Sequence, residues 1–237
     1  YFRRGQAYWN LHAPPELVAI DHSEAIRLKP DYADAYFCRS SQWERAADLQ
    51  RAREDAQQAV NLVPTDHDYL SHLGVLCINL GDYPAAMQHL SSAIEHCQTA
   101  AALDHKAYRA IAGAHARDFA RAESDLNAVL AENPESNLGL LARCYVHYHQ
   151  GDYAQLITSA TECLRVHPRE GTAYALRGCA YAAQENWGLA VVDFEKATEI
   201  NPGDTQAQKN LTTARTRLAP TEPGVGELHI DGEWNFV

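Results

Sequence analysis

At 237 residues the chain is long enough for one large domain or two small ones. Its 20 basic and 31 acidic residues leave a formal net charge of −11, which repels phosphate backbones and anionic lipid and makes nucleic acid and membrane surfaces poor partners. No run approaches the ~18 consecutive apolar residues of a membrane span, and the N-terminus lacks a signal-peptide pattern.

The chain opens on Tyr1-Phe2-Arg3-Arg4-Gly5, helix-like with no capping residue ahead of it, and its sole methionine is Met87. It therefore reads as part of something longer. Helical runs follow, each closed by a proline: Ala-Ile-Arg-Leu-Lys-Pro30, Ala-Val-Asn-Leu-Val-Pro64, then Pro134, Pro168 and Ala-Thr-Glu-Ile-Asn-Pro202. Proline lacks an N–H and fixes its own φ, so it ends one helix and lets the next begin. The separations are 34, 70, 34 and 34 residues, the 70 being two periods plus two residues, with a proline missing near Gln98. A fixed period of this size signals a stacked repeat.

With the proline set at position 32, position 8 is small or nearly so: Gly5, Ser40, Gly74, Ala110, Cys144 and Gly178. Position 20 is Val18, Ala52, Ala86, Ala122, Leu156 and Ala190, and position 27 is Ala25, Ala59, Ala93, Val129, Cys163 and Ala197. Small side chains at such places let paired helices approach closely. Bulky residues take other fixed places, among them Trp43, Tyr83, Tyr153, Tyr181, Leu90 and Phe194, while Gly113 stands where a bulky one is expected. Gly81-Asp82-Tyr83 and Gly151-Asp152-Tyr153 make the turn within a pair, glycine supplying positive φ and aspartate the next cap.

These residues resemble the tetratricopeptide repeat family, most fully from Tyr174 through Gly178, Tyr181, Ala190, Phe194 and Ala197 to Pro202. The resemblance implies an all-α, right-handed superhelical solenoid of antiparallel helix pairs, with six repeats over 1–202, the first truncated. The run from Asp204 to Leu218 reads as one further amphipathic helix, a cap over 203–218. Residues 219–237 follow as a Pro/Gly linker and a strand-like tail carrying Leu228, Ile230, Trp234 and Phe236, with self-association through that tail as one expectation.

No phosphate loop, H-E-x-x-H or G-x-S-x-G is present, so no catalytic residue, cofactor or metal site is expected. His147 and His149 diverge on a helix, leaving His149 to face His115. Asp66-His67-Asp68 is read as a helix start that wants caps. Asp55, Asp125 and Asp193, each three residues after a small position-20 alanine, are read as solvated carboxylates on a convex wall. The six cysteines (Cys38, Cys77, Cys97, Cys144, Cys163, Cys179) contain no C-x-x-C pair and are read as reduced core thiols of a cytoplasmic protein.

The resemblance also implies a concave groove lined by first-helix side chains that holds a peptide segment of a protein partner. The expected binding residues are Phe37, Arg45, Val75, Ile78, Asn79, Ile111, His115, Leu141, Tyr145, Tyr148 and His149, with Phe2, Gln6, Trp9 and Asn10 from the truncated repeat. The lysines and asparagines with which chaperone-binding repeats grip a C-terminal carboxylate are replaced here by Phe2, Gln6, Cys38, Asp68 and His72. The alternative is a regulatory repeat arm of an enzyme whose catalytic domain lies outside these residues.

Overall fold

A computed structural model describes residues 1, 2 and 14–219. Gly5, Gln6, Trp9, Asn10 and the tail residues Leu228, Ile230, Trp234 and Phe236 lie outside the described residues. The described residues form twelve helices and no strand: α1 (Pro15–Leu28), α2 (Ala33–Arg45), α3 (Leu49–Leu62), α4 (His67–Asn79), α5 (Tyr83–His96), α6 (Ala101–His115), α7 (Phe119–Glu132), α8 (Asn137–Gln150), α9 (Tyr153–Val166), α10 (Gly171–Ala183), α11 (Trp187–Ile200) and α12 (Thr205–Leu218). They fall into two compact units, one ending at Ala112 and the other beginning at Gly113, so the division lies within α6.

Within each unit, helices consecutive in the chain pack as hairpins, α2 with α3 and α4 with α5 in the first, α8 with α9 and α10 with α11 in the second. Pro30, Pro64, Pro134, Pro168 and Pro202 all lie in turns between helices. Inside the hairpins, Gly81 and Gly151 reach their turns at φ of 77° and 76°. Ala47, Arg117 and Glu185 hold the same turn position at φ 59°, a region that L side chains enter at a cost. An aspartate follows in four of these five turns: Asp48, Asp82, Asp118 and Asp152 accept from the backbone N–H of Arg51, Ala85, Arg121 and Gln155. Each thereby satisfies a donor that the start of the helix leaves without a partner.

The small positions do what the period predicts. A Cβ at Gly74 would stand 2.6 Å from Leu90 Cγ, and one at Gly178 would stand 2.8 Å from the Phe194 ring. Leu90 and Phe194 are fully buried at these contacts, as are Ala52, Ala86, Ala122 and Leu156 at position 20. All six cysteines are free thiols, with Cys144 and Cys163 buried.

One expectation is overturned. Asp55, Asp125 and Asp193 are not solvated, being only 6%, 5% and 3% exposed. In the first unit the Arg39 guanidinium donates to both Asp55 oxygens at 2.7 Å, and Trp43 Nε1 donates to the same carboxylate at 3.2 Å. In the second, Arg177 donates to both Asp193 oxygens at 2.8 Å. Each arginine also reaches a hydroxyl of the preceding second helix, Ser23 from Arg39 at 2.9 Å and Thr161 from Arg177 at 3.1 Å. The carboxylates of Asp55 and Asp193 therefore point inward, between the two helices of a hairpin, because an arginine sixteen residues earlier neutralises them there.

Candidate functional site

In the first unit the candidate face runs along α2, α4 and α6, and most of its polar groups bond one another. Asn79 Nδ2 donates to Glu44 Oε1 at 3.2 Å, and Arg45, exposed at the end of α2, donates to Gln42 Oε1 at 3.2 Å. His72 Nε2 lies 2.8 Å from Ser40 Oγ, while its Nδ1 is 3.9 Å from Glu44. Burial holds the His72 pKa down to about 4 and pushes that of Glu44 up, so the ring is neutral at neutral pH. Phe37 is half-buried, 5.1 Å from the rings of both Tyr69 and His72. Val75 and Ile78 are half-buried, Ile78 packs against the core cluster of this unit, and Ile111 is buried.

The second unit gathers a denser set. The His115 ring lies 5.1 Å from Tyr145 and 4.3 Å from His149, and Tyr148 meets His149 edge-on at 5.0 Å. The four expected residues thus form one continuous patch of rings. Tyr145 and Tyr148 are half-exposed, with their inner edges on the core around Leu140, Cys144 and Leu156. Leu141 belongs to that core and is buried. Desolvation holds both His115 and His149 down to a pKa of about 4, helped by the charge of His149 on His115 and of Arg117 on His149. The rings are therefore neutral and apolar-faced at physiological pH, yet His149 Nε2 is buried with no hydrogen-bond partner among the described residues. A buried imidazole nitrogen left this way costs about 1–3 kcal/mol until something bonds it.

His147 points the other way, as helical spacing requires, with Nδ1 2.9 Å from Ser159 Oγ inside the hairpin. Asp66 does cap α4, accepting from Asp68 N and Tyr69 N. The inward carboxylates of Asp55 and Asp193 escape a reading based on small-residue spacing alone. Their signal was present in the sequence as arginine sixteen residues ahead, at Arg39/Asp55 and Arg177/Asp193.

Comparison with known proteins agrees with this architecture. Residues 43–104 and 106–155 match one sequence model described as tetratricopeptide repeat, and residues 171–204 match a second of the same description. The DnaJ homolog subfamily C member 7 homolog of Dictyostelium discoideum is 24% identical over 181 residues, a match covering 67% of this chain and 33% of that protein. The chain thus spans about a third of the length of that relative. Among solved structures, a tetratricopeptide repeat protein from Parabacteroides merdae superposes with a TM-score of 0.78 at 18% identity, covering 90% of this chain and 82% of that one. PilW, a type IV pilus biogenesis factor, gives a TM-score of 0.70 at 15% identity, covering 90% and 96%. YrrB, described as having an unusual peptide-binding site, gives 0.50 at 16% identity, covering 82% and 97%. At these identities the structures speak to the fold alone. No helix among the described residues is long and apolar enough to cross a membrane. The family models together cover more than half of the sequence, and the chain belongs to the tetratricopeptide repeat family, whose repeats are protein–protein interaction scaffolds on a generally non-catalytic fold.

Proposed function

We propose that the chain is a scaffold that binds an extended or helical peptide segment of a protein partner on its first-helix faces, with the patch of Tyr145, Tyr148, His115 and His149 as the principal contact. The observation that carries this reading is His149 Nε2, buried without a partner beside two half-exposed tyrosines. A peptide N–H or hydroxyl would bond that nitrogen while its apolar side chains cover the ring faces. Phe37, Ile78 and Asn79 offer a second, more self-satisfied face in the first unit, and Arg45 a cation at its edge. The net charge of −11 favours neutral or basic peptide segments. The six free thiols suit a reducing, cytoplasmic setting. The 227–237 segment of this or another copy is one candidate occupant.

A photo-crosslinking residue in place of Tyr148 should capture peptides selected against the intact chain from a random library. The same residue in place of Val192, exposed on α11, should not. Capture at Val192 alone would reject the face. A second reading, a regulatory arm of a larger enzyme, is favoured by the one-third share of the Dictyostelium relative that the chain matches. The full-length reading frame decides between them.

A further inference from the structure

The one place where the repeat breaks its period also brings together three metal-ligating side chains. Between Pro64 and Pro134 the spacing carries two extra residues and no proline near Gln98. There α5 ends at His96, and Cys97 turns extended at φ −92° and ψ 117° as its C-cap. That turn delivers the Cys97 thiol to the first residue of α4, His67, and to His105, the fifth residue of α6. Ligand atoms from the three residues all lie within 4.8 Å of one another, the only such group of three among the described residues. All three residues belong to the first unit.

The distances suit an ion. His67 Nδ1 and His105 Nε2 are 3.3 Å apart, and Asp68 Oδ1 lies 3.2 Å from the same His67 nitrogen. Two nitrogens on a tetrahedral zinc, each about 2.0–2.1 Å from the metal, stand about 3.4 Å from each other. His105 is 4% exposed, its Nδ1 has no hydrogen-bond partner, and its Nε2 meets only another histidine. The support lies at Nε2: two imidazole nitrogens face each other there with at most one proton between them, and an ion would take up the lone pairs that remain. The Cys97 thiol contacts Thr99, Oγ1 at 3.3 Å and the carbonyl oxygen at 3.8 Å, and so is held at the rim of the group.

We infer that His67, Cys97 and His105 form a zinc site, with the Asp68 carboxylate or a water as fourth ligand. Two imidazoles and one thiolate match the borderline-soft character of zinc, and an oxygen at the fourth place completes a tetrahedron. Binding is balanced by loss of the thiol proton: Zn²⁺ displaces H⁺ from Cys97 Sγ, the proton passes to solvent, and no electron moves. Entry is from the side of His67 and Asp68, which are partly and largely exposed. The ion would tie the start of α4 to the end of α5 and the start of α6, replacing the proline stop absent from this junction. No motif spacing singles the set out, since Cys97 stands 30 residues after His67 and 8 before His105, between two helices.

Cobalt(II) added to the intact, reduced chain tests this, since a cobalt–thiolate bond gives a near-ultraviolet charge-transfer band that zinc abolishes by displacement. One equivalent should develop the band. Cys97→Ser should remove it and weaken zinc binding, measured by calorimetry, about tenfold or more. His105→Asn should weaken zinc equally, while His167→Asn, outside the group, should leave both readouts unchanged. Should Cys97→Ser lose its helical circular dichroism, His67→Asn carries the same expectation of weakened zinc. A charge-transfer band that survives Cys97→Ser, zinc binding indifferent to His67 and His105, or no stoichiometric metal uptake would each overturn the site.

Discussion

The consecutive hairpins α8–α9 and α10–α11 are built on one repeat and differ in what they leave unsatisfied. Both place an arginine seven positions into the first helix. In α10–α11 that residue, Arg177, is gripped by Asp193 and Thr161, and Gly178 lets the Phe194 ring close the gap. In α8–α9 the aspartate is replaced by Ser159, whose hydroxyl is taken by His147, and Arg143 Nε is buried without a partner. His149 Nε2, on the same helix, is also without one. The better-satisfied hairpin carries small, buried Cys179 and Ala182 where its neighbour carries Tyr145 and Tyr148. Departures from local consistency are expected at functional or strained sites, and of these two hairpins it is α8–α9 that carries them.

The largest test of that contrast is Asp193→Ala. It should cost about 2–3 kcal/mol, because the half-buried Arg177 is left without its carboxylate. Ser159→Ala, at the same place one hairpin earlier, should cost about 1 kcal/mol or less. Urea unfolding measures both, and equal losses would dissolve the distinction.

Acid should then act on one hairpin and spare the other. The folded pKa values of His115 and His149 lie near 4, below the ordinary 6.5, so the unfolded chain binds their protons more readily. Their contribution is fully present above about pH 6.5 and is lost as pH falls toward 4, on the order of 2–3 kcal/mol for the pair. The α10–α11 hairpin contains no histidine. Replacing both rings with glutamine should make the profile of thermal midpoint against pH shallower, leaving the shares of His72, near 4, and of His22, His89, His105 and His147, which burial also holds low. An unaltered profile would show that these rings do not titrate with folding.

A gain should come from Ser159→Asp, which gives Arg143 the carboxylate its counterpart enjoys and should add about 1–2 kcal/mol. An unchanged or lower midpoint would mean that the sixteen-residue spacing alone does not make the clamp. Smaller still is the turn. Glu185→Gly relieves a φ of 59° and should gain about 1 kcal/mol, whereas Gly151→Ala, at the same point of the preceding hairpin, should lose about as much. Both are read from thermal midpoints, and the same sign for both would refute the assignment of strain.

Much of this architecture was legible in the residues. Prolines at a fixed period located the turns, and Gly74, Gly178 and the alanines at position 20 located the helix contacts, since only small side chains permit that approach. The rings of His115, Tyr145, Tyr148 and His149 follow from helical spacing once the register is known. Asp55 and Asp193 were misread because an alanine three residues earlier says which helix they occupy but not what neutralises them. The partner is an arginine on the other helix, and only the pair of positions together reveals the buried bond. His147 and Ser159 escaped for the same reason, as a contact across a hairpin rather than along one helix.

The claim that α8 carries the working surface is tested most directly by fluorescence anisotropy. A labelled peptide selected against the intact chain is titrated with the wild type and with the Tyr145→Ala, Tyr148→Ala double variant. The account predicts binding weakened about tenfold or more, roughly 1.4 kcal/mol, with helical circular dichroism unchanged. Equal affinity for a variant that keeps its fold would contradict it.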